Sequence, residues 1–192
     1  MREVRYTALT LSNIHAGELA ARLKMPRGTE LSILEKCISE VRAVMAPKAS
    51  AAEVEVTISG DEVKLGGLTV HSRDLAKNLR GCRSAAVMAV TLGAGVDMLL
   101  RRKSVTSPSE HFVCDGVASA FAETAADAAE EIFLENYPHR PRFSPGYGDL
   151  SLDIQSEVLS VCDAEKLLGI KLTDTKLMIP TKSVTAIIGR CD

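Results

Sequence analysis

The sequence lacks the features that mark several common classes of protein. It has no basic surplus, because 23 Lys and Arg stand against 25 Asp and Glu and the formal net charge is -2. Proteins that bind nucleic acid usually carry such a surplus, so no nucleic-acid partner is expected. No apolar run approaches the roughly 20 residues that cross a bilayer. The longest run, Ala85 to Leu92, has the length of a strand, so no membrane partner is expected either.

Close pairs of metal-binding residues are also missing. The five cysteines include no C-x-x-C pair, and the four histidines are equally scattered. Zinc and iron–sulfur sites usually rest on closely spaced ligands, so no metal site is predicted. An odd, scattered set is typical of free thiols in a reducing compartment. The segment Met1 to Thr10 is charged and precedes no apolar stretch, unlike a signal peptide, so we expect a cytoplasmic protein.

Two nucleotide-binding motifs are absent or incomplete. The sequence has no G-x-x-x-x-G-K-[ST], which argues against an ordinary nucleoside triphosphatase. The segment Thr91 to Val96 follows a predicted strand, as a dinucleotide-binding turn does, but Met98 occupies the third glycine position. We interpret this segment as a tight turn between a strand and a helix.

The first half of the chain shows alternating and helical apolar patterns. They predict a strand at 4–9, a helix at 14–23 and a break at 26–28. A second helix is capped by Thr29 and stopped by Pro47. Strands follow at 54–58, 63–65 and 68–70, and then a short helix capped by Ser72.

A long alanine-rich helix dominates the second half. Ser107 to Glu110 has the pattern of a capping box with proline at the first helical position, and the helix runs to about Glu135. Its small face predicts a central buried helix. Around it the sequence predicts a doubly buried strand at 85–92, a helix after Gly95, a helix capped by Asp153 and ending near Val161, a helix end at Gly169, and strands at 177–179 and 184–188. Elements in this order predict an α+β fold, with a mixed or antiparallel sheet packed against the long helix.

Acidic residues follow one side of the long helix. Asp115, Glu123, Asp127 and Glu130 fall together at helical spacing. The simplest interpretation is a solvated outer face. The alternative is that one of them, Glu123 first, faces a cleft.

Residues 138–150 form an irregular stretch with three prolines and two glycines. Within it, Arg142 offers a planar fork of donors suited to a carboxylate or phosphate. Gly146 permits close backbone approach, and Tyr147 offers a flat face with one hydroxyl. The stretch is either a ligand loop or a structural corner.

Three ordered motifs carry a family resemblance. They are Arg142-x-x-x-Gly146-Tyr147, then Leu167-Leu168-Gly169-Ile170-Lys171-Leu172-Thr173-Asp174, then Met178-Ile179-Pro180-Thr181-Lys182-Ser183-Val184. Together with the alanine-rich helix they resemble the activation domain of cobalamin-dependent methionine synthase. The resemblance is strongest over residues 85–190 and loose over 1–80, and it implies one activation-domain-like unit over 1–192.

The resemblance implies a function. Such a domain presents S-adenosylmethionine to oxidised cobalamin, and an electron from a flavodoxin-like donor completes the reactivation. By position, Arg142 would pair with the carboxylate of S-adenosylmethionine, and Gly146 and Tyr147 would shape the wall beside it. No D-x-H-x-x-G motif is present, so cobalamin is expected only on a partner, a methionine synthase subunit or another corrinoid protein. The expected role is accessory to that methyltransferase, with no catalytic residue of its own.

Departures from the family pattern leave a second interpretation open. Gly148 and Asp149 follow Gly-Tyr where methionine synthases usually have proline and a nearby cysteine. The family's N-terminal aspartate segment and its later tyrosine pair have no counterpart, as in a shortened, stand-alone form. The alternative is therefore a docking module for a corrinoid protein that no longer binds S-adenosylmethionine. An unrelated small-molecule enzyme is a further alternative, although no catalytic motif supports it.

Overall fold

The computed structural model describes residues 3–12, 14, 16–22 and 31–191. The predicted break at 26–28 and the predicted cap Thr29 lie outside these ranges. Within them, no helix combines the length and apolar character that crossing a membrane requires.

An antiparallel sheet forms the middle of the fold. Its strands follow the order β4-β3-β2-β5-β8, and β1 pairs with the first half of β2. A separate pair, β6 and β7, holds the predicted strand at 177–179, which therefore does not join the main sheet. The strands are β1 (Val4–Ala8), β2 (Lys48–Ser59), β3 (Glu62–Leu65), β4 (Leu68–His71), β5 (Ser84–Thr91), β6 (Lys171–Leu172), β7 (Met178–Ile179) and β8 (Ser183–Arg190).

Helices cover both faces of this sheet. They are α1 (Ala16–Arg22), α2 (Leu31–Val44), α3 (Arg73–Asn78), α4 (Ala94–Thr106), α5 (Pro108–Leu134), α6 (Gln155–Val161) and α7 (Ala164–Leu168), with a 3-10 turn at Leu152–Ile154. The first apolar cluster joins α1, α2, α4 and α5 to one face. Two others join α3, α6 and α7 to the opposite face. The predicted α+β class is confirmed.

The position of strand β5 between two apolar clusters explains why its sequence is apolar throughout. Met88 and Val90 point into the cluster beneath α5, whereas Val87 points into the opposite cluster. Both faces are buried, as the uninterrupted run predicted. Strand β2 begins six residues before the prediction at Val54, because its first half pairs with both β1 and β5 and is made of small buried residues rather than an alternating pattern.

Helix α5 is the central buried helix that its small face predicted. Alanines on this face pack against the sheet with almost no exposed surface, and Phe121 is fully buried beside them. Small side chains allow the helix axis to approach its neighbours closely. The buried alanines are Ala118, Ala122, Ala125, Ala126 and Ala129.

Both predicted side-chain caps in the second half are wrong. The Ser107 side chain makes no capping hydrogen bond. The Ser107 N–H donates to the Lys103 carbonyl at 2.9 Å, and the Glu110 side chain binds Lys103 and Lys36 instead of returning to that N–H. Hydrogen bonds from the two ammonium groups, of which that of Lys103 has the larger effect, lower the pKa of Glu110 to about 2. Asp153 also does not cap α6. The hydroxyl of Ser151 caps the preceding 3-10 turn by accepting from the Asp153 N–H, and α6 continues directly from that turn.

Candidate functional site

The proline-rich stretch 138–150 is an ordered loop that runs beside the free edge of β8. Phe143 exchanges two backbone hydrogen bonds with Ile187, at 3.0 and 2.8 Å. The Arg140 N–H donates to the Gly189 carbonyl at 2.9 Å, and the Ser144 hydroxyl donates to the Thr185 carbonyl at 2.6 Å. These contacts satisfy a sheet edge that would otherwise expose its backbone groups.

A tight turn at the end of this loop presents Tyr147. Gly146 has φ +90°, a conformation that favours glycine, and its N–H donates to the Leu150 carbonyl at 2.9 Å. The Tyr147 side chain is 56% exposed and meets the ring of Phe143 edge-on, with centroids 6.1 Å apart. The turn therefore holds a flat aromatic face at the surface.

Asp149 fastens the turn to the start of α3. Its carboxylate accepts hydrogen bonds from the Ser72 hydroxyl and from the backbone N–H groups of Arg73 and Asp74. Ser72 in turn caps α3 by accepting from the Leu75 N–H, as predicted. The residue that departs from the family pattern thus has a local structural role here.

Replacing Asp149 with asparagine should loosen this turn. The hydrogen bond from Ser72 holds the pKa of Asp149 below its ordinary value of 3.8. A carboxylate with a lowered pKa contributes stability above its unfolded pKa and loses it as the pH falls through the folded value. We expect Asp149→Asn to raise amide hydrogen exchange at residues 146–150 several-fold at neutral pH. Asp153→Asn removes one charge from the adjacent turn and should leave that exchange unchanged, and equal effects would contradict the assignment.

Arg142 lies against the acidic side of α5. Its guanidinium contacts Asp127 and Glu130 at 2.7 Å each and Glu123 at 3.3 Å. Partial burial lowers the pKa of Arg142, but the carboxylates of Asp127 and Glu130 outweigh it and raise that pKa overall. His139 also contacts Glu130, at 2.8 Å. Glu130 is therefore largely shielded, with 17% of its side chain exposed, whereas Glu123 at 48% and Asp127 at 65% remain on a solvated face, as predicted.

The loop borders a cavity of about 440 Å³. This volume falls within the range of small-molecule sites. Glu123 reaches it from α5, which matches the alternative that this acid faces a cleft. Arg142 is not among the described residues that line the cavity and touches it only through Glu123. The wall consists of Glu123, Ser144, Pro145, Tyr147, Leu152, Gln155, Lys176, Leu177, Met178, Thr181, Ser183, Val184 and Thr185.

Polar residues of the wall that sequence reasoning missed include Gln155, Lys176 and Thr185. The Gln155 amide, 2% exposed, donates to the Thr185 hydroxyl at 2.8 Å and to the Met178 sulfur at 3.3 Å. Gln155 lies on the same helix face as the apolar residues Val158 and Leu159. A polar residue on an apolar face was the sequence signal that could have indicated a buried amide. Buried amides need partners, so this network fixes the floor of the cavity.

The fold has the architecture that the family resemblance implied, an antiparallel sheet with a long alanine-rich helix packed on one face. Among solved structures, the chain is similar to the crystal structure of the MetH reactivation domain bound to AdoHcy, with a TM-score of 0.68 and 16% identity. The match covers 98% of this chain and 78% of that chain.

The structural likeness confirms the predicted fold. It extends beyond residues 85–190, where the sequence resemblance is strongest, because it covers nearly the whole chain. No protein-family model matches the sequence, and no curated protein matches it.

Proposed function

We propose that this chain is an activation subunit that assists the reductive methylation of cobalamin by S-adenosylmethionine in a methionine synthase of the cytoplasm. One observation carries the proposal. Tyr147 comes from the first motif of the family resemblance, Met178 and Ser183 come from the third, and all three residues line the same cavity. The MetH reactivation domain, which has the same fold, was crystallised with AdoHcy.

The residues of the cavity suit an adenosyl ligand with a charged amino-acid tail. Tyr147 offers an exposed ring for stacking, and Leu152 and Val184 add apolar wall. Glu123 and Lys176 bring one charge of each sign, which matches a tail that carries both. When bound, S-adenosylmethionine supplies the methyl group, and cobalamin on the partner supplies the cobalt chemistry. This chain would bind, orient and shield the ligand.

Arg142 keeps its proposed role as partner of the ligand carboxylate, through an exchange of partners. Its contact with Glu123, at 3.3 Å, is longer than the two contacts at 2.7 Å. Glu123 is also the partner that lines the cavity. An incoming carboxylate would therefore replace Glu123, while Asp127 and Glu130 continue to hold the guanidinium.

Calorimetric titration of S-adenosylmethionine into the purified protein tests the proposal. We expect saturable binding that Arg142→Ala abolishes and Tyr147→Ala weakens by about 10-fold, the scale of a lost aromatic contact. Arg140→Ala is the matched control, because Arg140 lies in the same loop but borders a different cavity. Equal binding by the wild type and Arg142→Ala would contradict the assigned role. Cobalamin reactivation with a corrinoid partner and a flavodoxin-like donor then tests the activity itself.

One observation favours the docking alternative. Three carboxylates already occupy the guanidinium of Arg142, so the residue is satisfied without any ligand. In that case the chain would bind a corrinoid protein without S-adenosylmethionine. Repeating the titration of S-adenosylmethionine in the presence of the corrinoid partner distinguishes the two functions. Partner binding with no uptake of S-adenosylmethionine, alone or in the complex, would establish the docking module.

A further inference from the structure

A second group of chemically active side chains lies between α2 and α5. The sulfur atoms of Cys37 and Cys114 are 2.7 Å apart, and a carboxylate oxygen of Glu40 lies 3.8 Å from the Cys114 sulfur. All three ligand atoms lie within 4.8 Å of one another. We propose that these three side chains form a zinc-binding site. No close spacing in the sequence predicts it, because the two cysteines are 77 residues apart.

Helical geometry brings the ligands together. Cys37 and Glu40 are three residues apart on α2 and therefore share one face of that helix. Cys114 faces them from the first half of α5. Both cysteines are fully buried, whereas the Glu40 side chain is 28% exposed. The two sulfur atoms are therefore shielded from solvent, whereas the cluster is partly open at Glu40. A metal site needs such an entry path, and an ion would enter past Glu40.

Two thiolates and a carboxylate form a donor set that zinc accepts, because thiolates suit this ion and it imposes no electronic geometry. Zinc–sulfur bonds of about 2.3 Å place two thiolates roughly 3.8 Å apart at a tetrahedral centre. The two sulfurs would therefore separate by about 1 Å on binding. Three protein ligands leave the fourth position to water.

Zinc binding leaves the net charge of the cluster unchanged. Lys103 contacts both Glu40, at 2.7 Å, and Glu110, and Lys36 contacts Glu110 at 2.8 Å. Burial raises the pKa of both thiols, so they are neutral without metal. One Zn²⁺ replaces the two thiol protons, which pass to solvent, and the net charge of the cluster does not change. When Glu40 binds the metal through Oε2, its Oε1 still lies 3.0 Å from the Lys103 ammonium, which also keeps Glu110.

Cobalt titration of the reduced, chelator-treated full chain tests the site. We expect one equivalent of Co²⁺ to bind with cobalt–thiolate charge-transfer absorption, and Zn²⁺ to displace it. Cys37→Ser and Cys114→Ser should remove that absorption. Cys82→Ser, which alters the other close thiol pair (Cys82 and Cys191, 3.4 Å), should retain it.

A matched pair of carboxylate variants keeps the test decisive even if the serine variants fail to fold. Glu40→Gln should weaken zinc binding more than the roughly 10–100-fold that loss of an outer partner costs. Glu110→Gln removes the other carboxylate of Lys103 and should keep the wild-type affinity. Saturating zinc should also raise the Tm of the wild type and of Glu110→Gln. The proposal is overturned by no metal uptake in the reduced protein, by uptake that Cys37→Ser leaves unchanged, or by equal effects of the two glutamine variants.

Discussion

Replacing Gly95 with alanine should destabilise the protein by about 1–3 kcal/mol, the usual cost of overpacking a tight contact. Gly95 is the second residue of α4, where alanine would ordinarily be favoured by up to about 1 kcal/mol. Here a Cβ atom would overlap the backbone carbonyl oxygen of Val44, at the end of α2, and would lie 3.3 Å from its carbonyl carbon. A backbone carbonyl cannot rotate away as a side chain can, so the two helices would have to separate.

Urea unfolding of Gly95→Ala beside Gly17→Ala isolates this contact. Gly17 is likewise the second residue of its helix, α1, and an added Cβ there meets nothing within 4 Å. Gly17→Ala should therefore be neutral or slightly stabilising, in line with helix propensity. If both variants shift the midpoint in the same direction, the packing of α4 against the end of α2 does not explain Gly95. The tight turn predicted for Thr91 to Val96 is itself confirmed, since β5 ends at Thr91 and α4 begins at Ala94.

Local sequence patterns predicted those elements whose environment is uniform along their length. The apolar run of β5 and the alanine face of α5 each report a single kind of neighbour, so composition and period were sufficient. The cap of α3 by Ser72 was also predictable, because donor and acceptor are three residues apart. The failed caps show the limit of this reasoning. Glu110 fits a capping box by spacing, yet Lys103 in the preceding helix and Lys36, 74 residues away in the chain, compete for its carboxylate.

The candidate site was predictable as a set of residues but not as an arrangement. Arg142 and the acidic side of α5 are both recognisable in the sequence, but nothing in their spacing pairs them. Their pairing depends on the loop lying along β8, which is a property of the folded sheet. Asp149 illustrates the same point, since its partner Ser72 is 77 residues away. Contacts of this kind are set by tertiary packing, to which local periodicity is blind.

Replacing Phe121 with alanine should cost roughly 3–5 kcal/mol, the usual range for emptying a large aromatic site in a core. Phe121 is fully buried on α5, at the centre of the cluster that joins the sheet to the helical layer. The guanidinium of Arg42 also lies 5.5 Å from its ring centroid, so truncation removes a cation–π contact in addition to apolar burial. Small domains are stable by only about 5–15 kcal/mol, so this one change should remove a large part of the total.

Phe112→Ala provides the matched control for that prediction, because Phe112 lies on the same helix and is 77% exposed. Both substitutions replace phenylalanine with a better helix former, so the propensity gain cancels in the difference between them. Urea unfolding should place Phe112→Ala within about 0.5 kcal/mol of the wild type. A loss below about 1 kcal/mol for Phe121→Ala would mean that the alanine face can close over the vacated space. Helix α5 would then be able to shift toward the sheet. Glu123, which lines the cavity, and Cys114, which belongs to the thiol cluster, would shift with it.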